Sequence, residues 1–136
     1  MVRYAALRTA FFSATIPHMT RTVLIVDDHP SFRASARAVL ESDEFAVVGE
    51  ADDGASALAA VRSLRPDVIL LDVQLPDMKG FDVCDELERS NGWAPSIVLV
   101  SSRDMDDYGD LIAASCAVGF LPKAELSPEA LGAFLS

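Results

Sequence analysis

Five short apolar runs, each followed by a stretch with helical spacing, are what most limit the folds open to this chain. From Thr22 onward they read Val23-Leu24-Ile25-Val26, Ala46-Val47-Val48-Gly49, Val68-Ile69-Leu70-Leu71, Ile97-Val98-Leu99-Val100 and Val118-Gly119-Phe120-Leu121. Strands that alternate with helices form βα units around a parallel sheet. Runs with no polar alternation predict strands buried on both faces. The expected class is therefore α/β, a single doubly wound (βα)5 domain. A chain of 136 residues, 51% hydrophobic and 24% charged, is long enough for one such core and leaves little room for a second.

The intervening stretches support this reading. Phe32, Ala36, Val39 and Leu40 share one helical face, with Arg33 and Arg37 on another, so this segment should lay one side on the sheet. Leu58, Val61 and Leu64 repeat the pattern. From Phe81 to Ser90 the apolar face is Val83, Cys84 and Leu87, the other face is acidic, and Asn91-Gly92 reads as a stop. A fourth helix near Asp106 to Ser115 is weakened by Gly109 and presents mainly Tyr108, Leu111 and Ile112. Ser127-Pro128 reads as an N-cap and first-turn proline for a last short helix carrying Leu131, Phe134 and Leu135.

Residues 1–21 mix basic and apolar side chains. Their apolar stretch, Ala10 to Ile16, is broken by Ser13 and Thr15 and is too short to span a bilayer. They are expected to be an extension, disordered or supplied by a start codon upstream of Met19. The domain proper is expected over residues 22–136, without a linker or repeat that would mark an output domain. A net charge of -10 repels nucleic-acid phosphates, so no direct nucleic-acid binding and no membrane association are expected of this chain. Cys84 and Cys116 have neither CxxC nor metal-ligand spacing. They read as ordinary semi-buried thiols and suit a reducing, cytoplasmic setting.

In an open parallel sheet the functional crevice lies beyond the carboxyl ends of the strands. The polar residues that directly follow the apolar runs are Asp27 and Asp28, then Asp72, then Ser101 and Ser102, then Lys123. Like charges at about 4 Å repel by roughly 1 to 4 kcal/mol, so three convergent aspartates require a cation. Carboxylates without histidine or thiolate ligands favour a hard octahedral ion, which points to Mg2+. Taken singly, each residue has a structural explanation. Asp28 with His29-Pro30 could cap the first helix, Asp72 could cap a turn leading to Pro76, and Lys123 could be a surface charge. Their common position at one edge of one sheet favours the functional reading.

With those residues assembled, the chain from Thr22 to Leu135 resembles the receiver domain of two-component response regulators. VLIVDDHP is similar to that family's acidic pair, PDVILLDVQLPDMKGFDV to its phosphoacceptor segment, VLVSS to its hydroxyl position and AVGFLPKA to its lysine segment. The resemblance implies a flavodoxin-like fold with sheet order 2-1-3-4-5. It makes Asp72 the phosphoacceptor, and Asp27, Asp28, Asp72 and the backbone carbonyl of Gln74 the Mg2+ site, with Asp27 acting mostly through a coordinated water. It also implies that Lys123 pairs with Asp72 before reaction and with a phosphoryl oxygen afterwards, and that Ser101 hydrogen-bonds another oxygen. Ser101 and Phe120 would form the switch, although Phe120 also reads as a static core aromatic. The phosphoryl source in the family is a sensor histidine kinase or a phosphotransfer protein. Members commonly bind targets or form homodimers through the fourth helix, fifth strand and last helix.

The sequence departs from the family pattern after the lysine, where Ala124 stands in place of a common proline, and at the tuning positions Gln74 and Arg103. DDHP and VVGEADDG look closest to receivers that carry a helix-turn-helix DNA-binding domain, which these residues do not include. The chain is thus read as a phospho-accepting receiver that catalyses only its own phosphorylation and dephosphorylation, or as the receiver part of a helix-turn-helix transcriptional regulator. An acid-cluster hydrolase lacks a cap region here, a docking-only receiver conflicts with the intact set of polar residues, and a dinucleotide binder lacks a Gly-rich loop after the first strand.

Overall fold

The computed structural model describes residues 20–90, 95–103 and 108–135. Five strands alternate with five helices: β1 Arg21–Val26, α1 Pro30–Leu40, β2 Phe45–Ala51, α2 Gly54–Leu64, β3 Val68–Asp72, α3 Gly80–Arg89, β4 Ser96–Ser101, α4 Gly109–Ala114, β5 Gly119–Pro122 and α5 Pro128–Gly132. All pairings are parallel, in the order β2-β1-β3-β4-β5, which is the 2-1-3-4-5 arrangement that the sequence predicts.

Alternate side chains of the strands feed two apolar layers, as the two-residue period of a strand requires. Val23, Ile25, Leu70, Val98 and Val100 face α1 and α5 through Ala36, Leu40 and Leu131. On the opposite face, Leu24, Val26, Ile69, Leu71 and Leu99 pack on α2 and α3 through Ala57, Val61, Val83, Cys84 and Leu87. β3, at the centre, is buried along its whole length.

Several apolar expectations need correction. β2 is an edge strand, so its run is not buried on both faces, and Val48 is 39% exposed. Val118 falls outside β5, the other edge strand, and is 47% exposed, and α5 ends at Gly132, before Phe134 and Leu135. Val39 and Leu64 also lie at the surface instead of completing the buried faces of α1 and α2. α4 spans only Gly109–Ala114 and buries none of its residues, and Leu111 is 55% exposed. Its expected start at Asp106, the Asn91-Gly92 stop and residues 1–19 lie outside the described residues. No helix among the described residues is long and apolar enough to cross a membrane.

Local chemistry sets the helix starts that frame the carboxyl edge. His29, not Asp28, is the N-cap of α1, with Pro30 in the first turn. Asp53 caps α2 by accepting from Ser56 N at 2.7 Å, and Ser127 caps α5 by accepting from Ala130 N at 3.0 Å, followed by Pro128 as expected.

Candidate functional site

The predicted polar residues converge at the carboxyl edge. Asp27 and Asp28 follow β1, Asp72 ends β3, Ser101 ends β4, and Lys123 follows β5 in a 3-10 turn, Lys123–Glu125. Asp27, Asp72 and Ser101 are the buried polar residues of the described core. One ligand atom from each of Asp27, Asp28, His29 and Asp72 lies within 4.8 Å of the others.

Lys123 neutralises this cluster from one side. Its Nζ donates to Asp72 Oδ2 at 3.3 Å, the pairing that the resemblance implied, and also lies 2.6 Å from Asp27 Oδ2, a second and closer ion pair. Both carboxylates are almost fully withdrawn from solvent, and charges held that way require partners. Burial alone would raise the Asp27 carboxyl. Hydrogen bonds from Lys123 and from the His29 backbone and ring outweigh it and hold the carboxyl below its ordinary range. Asp72 goes the other way. Burial pushes it up to about 6, reinforced by the charge of Asp27 and opposed by the Gln74 amide and Lys123. Lys123 itself is raised, because the two carboxylates outweigh its desolvation.

The remaining members have defined partners. Gln74 N donates to Asp72 Oδ1 at 3.2 Å, and Ser101 Oγ accepts from Arg103 N at 3.0 Å. Phe120 is buried and tilts against Tyr108, with ring centroids 6.4 Å apart, and Tyr108 in turn meets Phe81 at 6.1 Å. Among the described residues no peptide bond is cis, including those that flank Lys123.

Sequence reasoning left out three neighbours of the site. His29 Nδ1 lies 2.9 Å from Asp27 Oδ1 and 3.2 Å from Asp28 Oδ1, and its place beside the acidic pair was the available signal. Arg33 Nη1 donates to the Asp27 carbonyl at 2.7 Å, while its Nε and that of Arg37 hold the Glu50 carboxylate at 3.0 and 2.8 Å. The Lys123 ammonium rests 4.6 Å above the Phe32 ring, a cation–π contact that helical periodicity reads only as core packing.

Residues 23–135 match the response regulator receiver domain family, and the chain belongs to it. Among curated relatives, a putative transcriptional regulator of Pseudomonas aeruginosa is 36% identical over 80% of this chain and 52% of its own length. The DNA-binding transcriptional activator EvgA of Escherichia coli K12 is 33% identical over 75% of this chain and 50% of its own. The DNA-binding response regulator MtrA of Mycolicibacterium smegmatis is 44% identical over 65% and 38%. The chain thus spans about half the length of these relatives or less. Among solved structures, the receiver domain of the putative response regulator NarL from Mycobacterium tuberculosis superposes with a TM-score of 0.76 at 37% identity, covering 85% of this chain and 94% of that one. The chemotaxis response regulator CheY4 of Vibrio cholerae gives 0.75 at 29% identity, covering 86% and 100%.

Proposed function

We propose that this receiver domain takes a phosphoryl group onto Asp72 and passes on the resulting change of surface. The observation that carries this reading is the junction of Asp27, Asp72 and Lys123, in which one ammonium bridges two buried carboxylates at 2.6 and 3.3 Å. A carboxylate oxygen of Asp72 attacks the phosphorus, the bond from phosphorus to the donor's leaving group breaks, and the product is an acyl phosphate. Phosphoryl transfer of this kind depends on in-line placement and on neutralising charge at the equatorial oxygens, with no acid–base residue required.

The group of Asp27, Asp28, His29 and Asp72 includes one imidazole that sequence reasoning left out, but its three carboxylates, with the Gln74 carbonyl as a further oxygen ligand, would suit a hard divalent cation such as Mg2+. When bound, that cation would supply the second positive charge. The chain's own groups do the rest. Lys123 moves its hydrogen bond from Asp72 to a phosphoryl oxygen. The Ser101 hydroxyl, whose oxygen accepts from the Arg103 amide, donates to another phosphoryl oxygen. Phe120 follows Ser101 and repacks the surface of α4 and β5, which makes the domain a switch timed by hydrolysis. A histidine kinase or phosphotransfer protein in the cytoplasm is the donor this chemistry suits, and a target protein or second copy the reader.

A second reading is supported by the length comparison and by the DNA-binding names of EvgA and MtrA. In it, this domain is the receiver part of a transcriptional regulator whose DNA-binding part lies outside these residues. Intact mass after incubation with a small acyl phosphate tests the chemistry. Wild type gains one phosphoryl group only when Mg2+ is present, and Asp72→Asn gains none. No adduct in wild type, even from a phosphohistidine donor, would leave a docking module instead.

A further inference from the structure

The segment between Asp72 and α3 is a closed hairpin. Gly80 N donates to the Val73 carbonyl at 2.7 Å and Leu75 N to the Met78 carbonyl at 3.2 Å, while Gln74 and Lys79 form an antiparallel bridge. At its tip, Asp77 reaches across to the start of α2. Gly54 N donates to its Oδ1 at 2.7 Å and Ala55 N to its Oδ2 at 3.0 Å.

These two amides are among those a helix start leaves unpaired, and the helix's own cap, Asp53, serves Ser56 N instead. Beside Asp77, the Met78 side chain covers Gly54 so closely that a Cβ there would meet its Cγ at 2.4 Å. α2 is itself anchored in the core through Ala57 and Val61. An exposed carboxylate thus ties the loop that follows Asp72 to a fixed helix, more than twenty residues away in sequence. The amides of Gly54 and Ala55, stronger together than its slight desolvation, keep it charged.

We infer that Asp77 is a positioning residue for the cation site: by clamping the hairpin to α2 it fixes where the Gln74 carbonyl stands at the rim. This rests on the phospho-acceptor reading, in which Gln74 is a ligand. Because the hairpin is closed by its own hydrogen bonds, displacement of its tip is carried to its base instead of being absorbed. Residues that orient ligands without touching the ion typically change metal affinity by about 10- to 100-fold.

The test is Mg2+ titration by calorimetry on wild type, Asp77→Ala and Asp77→Asn, with urea unfolding of each. Asp77→Ala is expected to weaken Mg2+ binding by about tenfold. Asp77→Asn, which keeps one accepting oxygen and so disturbs the fold least, falls between the alanine variant and wild type. Hydrogen exchange at Gln74 to Lys79 should speed up in the same order. If wild type binds Mg2+ and both variants bind it within twofold, the clamp does not position the site and the inference fails alone. If wild type itself binds no Mg2+, the cation reading falls and this inference with it.

Discussion

Lys123 Nζ is held 2.6 Å from Asp27 Oδ2, closer than to Asp72, the proposed acceptor, at 3.3 Å. The ammonium therefore serves first to keep a fully buried carboxylate ionised beside a second one. Removing one partner of a buried ion pair leaves an uncompensated charge and typically costs about 3 kcal/mol or more. Lys123→Ala should lose about 3 kcal/mol in urea unfolding at pH 7 with EDTA present, and millimolar Mg2+ should restore much of it. Unchanged stability in EDTA would mean that the lysine does not neutralise the pair.

Glu50 gives a pH signature of its own, one arginine away from the acidic cluster. The hydrogen bond from Arg37, helped by that from Arg33 and by the charge of both guanidinium groups, outweighs burial and holds its carboxyl below the ordinary 4.5. A depressed folded-state value means that the stabilisation is complete above the ordinary value and is lost as pH falls through the folded one. Glu50→Gln should thus cost about 0.5–1 kcal/mol at pH 7, and the gap to wild type should close as the pH drops below 4.5. Parallel stability curves from pH 7 to pH 3 would contradict this.

Two glycines next to the site should respond differently to alanine. At Gly80 a Cβ would stand 2.5 Å from the Asp72 carbonyl oxygen and 3.1 Å from Val73 Cα, both backbone atoms. At Gly54 the obstruction is the flexible Met78 side chain. Gly80→Ala should lose about 2–3 kcal/mol, as overpacked sites do, and Gly54→Ala should lose clearly less. Paired thermal melts decide the order.

The thiols should be unreactive. Burial pushes both the Cys84 and Cys116 sulfurs above the ordinary thiol range, their mutual contact adding to the effect at Cys84, and Cys84 is wholly enclosed. Since the thiolate is the nucleophile, native protein at pH 8 should leave Cys84 unmodified by iodoacetamide and modify Cys116 only slowly. Both should react in denaturant. Rapid native labelling of Cys84 would show that α3 opens readily.

The central part of the fold was legible because strands buried on both faces are written as unbroken apolar runs, and β1, β3 and β4 are of that kind. β2 and α4 were harder to read. Val48 has the composition of a core residue but sits on an edge strand, and α4 is too short for periodicity to resolve. At the site, the carboxyl-edge rule located Asp27, Asp28, Asp72, Ser101 and Lys123 because each stands at the end of its strand or just after it. The rule does not reach Asp77, whose partners Gly54 and Ala55 are distant in sequence, or the arginine pair on Glu50. Contacts of this kind depend on how elements dock, and single-sequence patterns carry no trace of that.

The gathering of carboxylates at one rim of a chain with a net charge of -10 also governs which molecules arrive there. A small anionic donor approaches against an adverse field, which salt flattens beyond about 8 Å at physiological ionic strength. A protein that presents its phosphoryl group within a cationic collar meets the same field as an attraction. On the proposed phospho-acceptor reading, encounter rates with the two kinds of donor should therefore move in opposite directions as salt is added, and the domain would sort donors by the charge around the phosphoryl group before any bond is made.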